Sequence, residues 1–170
     1  MPDYFDLGGY TRQVTTDSDR AQTWFTRGLL WAYGFNHEEA AACFERAAAA
    51  DPGCVMAYWG LAYALGPNYN KPWEAFAPEE VSSSVSRASA ALAAAAGLAE
   101  RAAPVERALV GALASRYPVA GLAATGPAAT GPAAAADGAA WNAGYADAMR
   151  RCTGRIPMTW MSPRCSPTHC

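Results

Sequence analysis

The chain has 170 residues, enough for one domain, and a formal net charge of -2. It has no basic field to hold nucleic acid or anionic lipid. No run approaches the ~20 consecutive strongly apolar residues of a membrane span.

Residues 1–16 read as an extended N-terminal segment, broken at Gly8-Gly9. The opening MPDYFDLGGY is acidic and lacks the basic-then-apolar order of a signal peptide, so a cytoplasmic location is expected. Thr16 with Asp19 resembles a capping box, and Trp24, Phe25, Leu29, Trp31 and Ala32 predict a helix over 17–33. Gly34 is expected to end it in the left-handed conformation. Asn36, with Glu39 three residues on, predicts a second helix to residue 50, and Asp51-Pro52 reads as the start of a third that ends at Gly66-Pro67.

Residues 66–77 combine turn formers with Tyr69, Trp73 and Phe76, which predicts an ordered insert packed on the helices. Pro78 opens a long alanine-rich helix to residue 96, and Pro104 another to Arg116. Residues 118–138 form an Ala/Gly/Pro-rich linker, with AATGP repeated at 123–132. Trp141, Tyr145 and Met149 predict an isolated last helix over 139–151, whose unpartnered apolar face favours self-association.

The tail, 152–170, has no period, and a disordered segment is expected there. Read one base upstream, the codons around Met158–Ser162 are forced to spell acidic residues, and a helix-like pattern returns. A frameshift near Arg151–Cys152 is therefore expected, which makes the chain a truncated version of a longer one.

Trp24, Gly28, Trp31, Ala40, Phe44, Ala47 and Pro52 share the spacing W-x3-G-x2-W-x8-A-x3-F-x2-A-x4-P. This resembles the tetratricopeptide repeat, a 34-residue helix–turn–helix unit. Small Gly28 and Ala40 let two helices approach, and the aromatics fill the gaps around them. Arg27 stands where the family usually has leucine. Thirty-four residues on, Tyr58, Leu61 and Ala62 begin a second unit, and Ala88, Leu92 and Ala95 complete it after the insert. The fold expected is all-α, built of tetratricopeptide-like antiparallel helix pairs over 17–117 in an α-α superhelix. Residues 35–40 and 66–73, FNHEEA and GPNYNKPW, also resemble longer bacterial repeat proteins of unassigned function. Some of these have a second cysteine three residues after the one matching Cys54. Ala57 stands there in this chain, so a paired-thiol role is not implied.

In the repeat family the first helix of each pair lines a groove. Its contact positions map onto Gln22, Phe25, Leu29, Ala32 and Tyr33, then Met56, Trp59 and Tyr63. These residues either line an open apolar groove or are covered by the 66–77 insert.

No catalytic residue, cofactor or metal is expected. His37-Glu38-Glu39 lacks the second histidine of H-E-x-x-H, and Cys152, Cys165, His169 and Cys170 match no zinc-finger spacing. The five cysteines include no CxxC, and Ser82-Ser83-Ser84 has no base beside it. The expected function is a non-catalytic module that binds a protein or peptide. The alternative is the N-terminal part of a larger enzyme or ligand-binding repeat protein, inactive without the repeats that would follow.

Overall fold

The computed structural model describes residues 5–117 and 132–153. The described residues form an all-α structure of six α-helices and no strand. The helices are α1 Asp19–Tyr33, α2 His37–Ala50, α3 Val55–Leu65, α4 Pro78–Gly97, α5 Pro104–Ala114 and α6 Pro132–Thr153. Short 3-10 turns occur at Trp73–Ala75 and Ala99–Arg101. No helix among the described residues is long and apolar enough to cross a membrane.

The helix starts follow local hydrogen-bond chemistry. Ser18 caps α1, its hydroxyl accepting the Ala21 N–H at 3.2 Å. Thr16, expected in that role, instead donates its hydroxyl to Asp51 at 2.5 Å. Asn36 caps α2 as expected, accepting the Glu39 N–H at 3.1 Å. Helices α4 and α5 share one device: proline at the first position, and a glutamate that reaches back to the preceding N–H. Glu80 accepts from Ala77, and Glu106 accepts from Ala103, both at 2.9 Å.

At two boundaries the hydrogen bonds show why the chain departs from the expectation. Asp51-Pro52 forms a turn before α3 rather than its first residues, because the Asp51 carboxylate accepts from the Gly53 N–H at 2.8 Å. At the end of α1, Gly34 keeps φ -79, and Phe35 takes the left-handed conformation at φ 63. The Phe35 N–H bonds to the Ala32 carbonyl and the Asn36 N–H to the Trp31 carbonyl, which is the Schellman pattern with phenylalanine at its left-handed position.

Each helix packs on the next, and α1 on α3, and α3 on α5. The joint of α1, α2 and α3 is the Phe44 ring, which is fully buried. A Cβ added at Gly28 of α1 would lie 2.6 Å from that ring, and one at Gly60 of α3 would lie 2.4 Å from it. Bare backbone on both sides thus makes room for one aromatic ring, whose burial stabilises the fold by roughly 1.5–3 kcal/mol. Trp24 belongs to the same buried cluster. The guanidinium carbons of Arg27 and Arg46 lie 4.7 and 4.8 Å from its ring centroid. Arg27, the departure from the leucine pattern, therefore covers an indole from solvent.

A second cluster joins α3, α4 and α5. Ala62, Ala88, Leu92 and Ala95 of the expected second unit are buried there with Val85 and Leu113, and its Tyr58 and Leu61 are partly buried against them. The insert packs into this cluster through Trp73. The last helix is longer than expected and is not isolated. It runs antiparallel to α5, with Gly144 beside Ser115 and the Cys152 Sγ 3.4 Å from the Ala108 carbonyl. Trp141 meets the Trp73 ring edge-on at 5.6 Å, and Met149 packs against the first cluster. The apolar face thought to be unpartnered is thus turned inward. Most of the expected linker, 118–131, lies outside the described residues, as does the tail from 154 on. Cys152, placed at the start of that tail, belongs to α6.

Candidate functional site

The expected contact residues divide by depth. Phe25 and Met56 are 1% exposed, and Leu29 and Ala32 are also buried, so these four belong to the core rather than to an open groove. Trp59 and Tyr63 are half-buried and stack on each other, with ring centroids 5.5 Å apart and 12° between planes. Tyr33 is the one that stands exposed, at 60%. The 66–77 insert does not cover the buried four, because its Trp73 joins the other cluster. Tyr10 and Val14 of the N-terminal segment pack against their cluster instead.

That segment is held closely. Gln22, at the start of α1, donates its amide to the Arg12 carbonyl at 2.7 Å and accepts the Val14 N–H at 3.0 Å. Its amide also donates to the Thr26 hydroxyl at 3.1 Å, and the Thr11 hydroxyl lies 3.3 Å from the same oxygen. Glu106, at the start of α5, is 2% exposed and accepts the Thr15 N–H at 2.8 Å. The Thr16 bond and the Gly53 N–H hold the Asp51 carboxyl below its ordinary pKa. The sequence gives no sign of this role for Glu106, because the Thr15 N–H that it accepts comes from 91 residues away.

Aromatic residues gather at the opposite end of α1. Phe35 is 56% and Tyr69 90% exposed, with ring centroids 6.5 Å apart. The α1–α2 turn and the insert therefore meet through their two most accessible rings. His37 lies 6.5 Å from Tyr63. Tyr10 lies 6.1 Å from Tyr33, edge-on. Although Tyr33 is mostly exposed, desolvation and then the neighbouring Tyr10 hydroxyl push its pKa up to about 12. Arg116 ties this end together, donating to the Pro67 carbonyl at 2.7 Å and lying 5.2 Å from the Tyr145 ring. Burial pushes Tyr145 up to about 12 and raises Tyr117, whose hydroxyl donates to the Ala62 carbonyl at 2.8 Å. Phe35 and Tyr69 were legible as aromatics near turns, but their meeting depends on how the insert folds back.

Burial, aided by the Arg116 charge, lowers the His37 pKa and favours the neutral ring. Burial pushes the Cys54 thiol up to about 11, which keeps it protonated and a poor nucleophile at neutral pH. Among the described residues no group of three or more His, Cys, Asp or Glu is placed to hold a metal ion. A surface cleft of about 320 Å³ is lined by Lys71, Phe76, Glu79, Glu80, Ser83 and Ser84. Its lysine pairs with Glu80 at 3.0 Å. Comparison of the chain with protein-family models, with curated proteins and with solved structures finds no match.

Proposed function

We propose that the chain is a non-catalytic protein–protein interaction module, built of tetratricopeptide-like helix pairs and engaging an apolar or aromatic segment of another protein. The observation that carries this reading is the exposed ring pair Phe35–Tyr69, with Phe35 held in a left-handed conformation that a bulky residue rarely adopts. Strained backbone of this kind gathers at functional positions. The serial packing of α1 to α5, each helix on the next and each odd helix on the next odd one, supports the repeat architecture. Accessible aromatic anchors are the side chains that typically dominate an interface.

The contact set proposed from the sequence shifts accordingly. Tyr33 stays in it, Phe35 and Tyr69 join it, and Phe25, Leu29 and Met56 support it from the core. A displayed library of random peptides selected on the full chain tests the reading. Aromatic-rich sequences are expected, with binding that changes little between low and high salt because charge plays a small part. Selection of uniformly acidic or basic sequences with steep salt dependence would contradict it.

A further inference from the structure

A chain terminus is ordered only where something ties it down, and here three side chains from three places in the fold do so. Gln22 from α1, Asp51 from the α2–α3 turn and Glu106 from α5 bind residues 12–16. Two of them hold main-chain atoms. The Gln22 amide acts as a peptide surrogate, pairing with a carbonyl and an N–H two residues apart on an extended chain. Glu106 takes the next N–H. These bonds carry no information about side-chain identity. Selectivity comes from Tyr10 and Val14, which pack against the first cluster.

Glu106 gives the arrangement its logic. It is nearly fully buried, with one oxygen on the Ala103 N–H and the other on the Thr15 N–H. A buried carboxylate oxygen needs a donor, so any chain that covers Glu106 in place of the segment must bring an N–H to that oxygen.

We infer that residues 10–16 are an exchangeable strap. They close a main-chain-reading site between the N-terminal ends of α1 and α5. An extended peptide with an aromatic residue four positions before a β-branched one takes their place. The inference rests on the reading of the chain as an interaction module, and it adds a second surface that runs along α1 from Gln22 to Tyr33, where Tyr10 meets the edge of the first. A tethered strap competes at an effective concentration of about millimolar. A free peptide therefore binds the intact chain weakly and binds well once the strap is disabled.

The test uses a fluorescent peptide of residues 5–16 as probe, titrated into the full chain by anisotropy. Thr15→Pro removes the N–H offered to Glu106 and leaves the site's own side chains intact. The Thr15→Pro chain is expected to bind the probe at least tenfold more tightly than the wild type, and Thr15→Pro with Gln22→Ala to lose that gain at unchanged helicity. Equal binding by wild type and Thr15→Pro, or a gain that survives Gln22→Ala, overturns the inference. If Thr15→Pro does not fold, hydrogen exchange on the wild type decides. The Val14 and Thr15 amides should exchange at least tenfold faster than that of Phe44, through local release of the strap. Exchange of all three at one rate overturns it. Peptide selection at the Phe35–Tyr69 surface is read with the strap in place, so the failure of one reading is distinguishable from the failure of the other.

Discussion

Phe35 occupies a backbone conformation that costs an L-residue with a side chain roughly 1–2 kcal/mol, and it leaves most of its ring in water. Asparagine tolerates that conformation better. Phe35→Asn is therefore expected to leave stability unchanged or raise it by up to about 1 kcal/mol, measured by urea unfolding. A loss of more than about 1 kcal/mol would mean that the ring serves packing. Phe44 shows the opposite economy, since its ring needs two glycines. Gly28→Ala and Gly60→Ala should each cost about 1–3 kcal/mol by overpacking, and Phe44→Leu should relieve part of that cost in a double-mutant cycle. Full additivity would contradict a shared contact. His37 adds a test of electrostatics. Its folded pKa lies below the ordinary histidine value of 6.5, so it contributes stability above that pH that is lost as the pH falls through the folded value. Its ring resonances should titrate with a midpoint below 6.5, and a midpoint above 6.5 would show that the ring is not desolvated.

At the scale of elements, the helices were legible where local chemistry decides. The Asn36 cap and the starts of α4 and α5 at Pro78 and Pro104 are written in two to four consecutive residues. Errors arose where a distant partner competes for the same group. Asp51 draws Thr16 away from the α1 cap and turns the chain before α3, 35 residues later in sequence. Gly34 carried the usual stop signal, but the hydrogen bonds of the turn set the left-handed residue one position on. The helix over α6 was expected to stand alone because its partners, α5 and Trp73 of the insert, are set by a chain path that no local pattern gives. Trp141→Ala should consequently destabilise the full chain by about 2 kcal/mol, with a lower thermal midpoint. No change in the midpoint would show that α6 does not dock on the insert.

Across the whole molecule, the fold class was readable because alanine and aromatic periodicity repeats over the helices. The expected groove was not, because Phe25, Leu29 and Met56 are buried in a cluster against which Tyr10 and Val14 of the N-terminal segment, Val105 of α5 and Met149 of α6 all pack. Periodicity says which face of a helix is apolar, and it does not say what covers that face. Phe35 and Tyr69 stay exposed where the α1–α2 turn meets the insert, and partner binding is proposed for that end. The direct measurement is the affinity of one selected aromatic peptide, determined by calorimetry for the wild type, Phe35→Asn and Tyr69→Ala. The account predicts at least a tenfold loss of affinity in each variant, with urea unfolding that matches or exceeds the wild type for Phe35→Asn. Equal affinities in all three would contradict it.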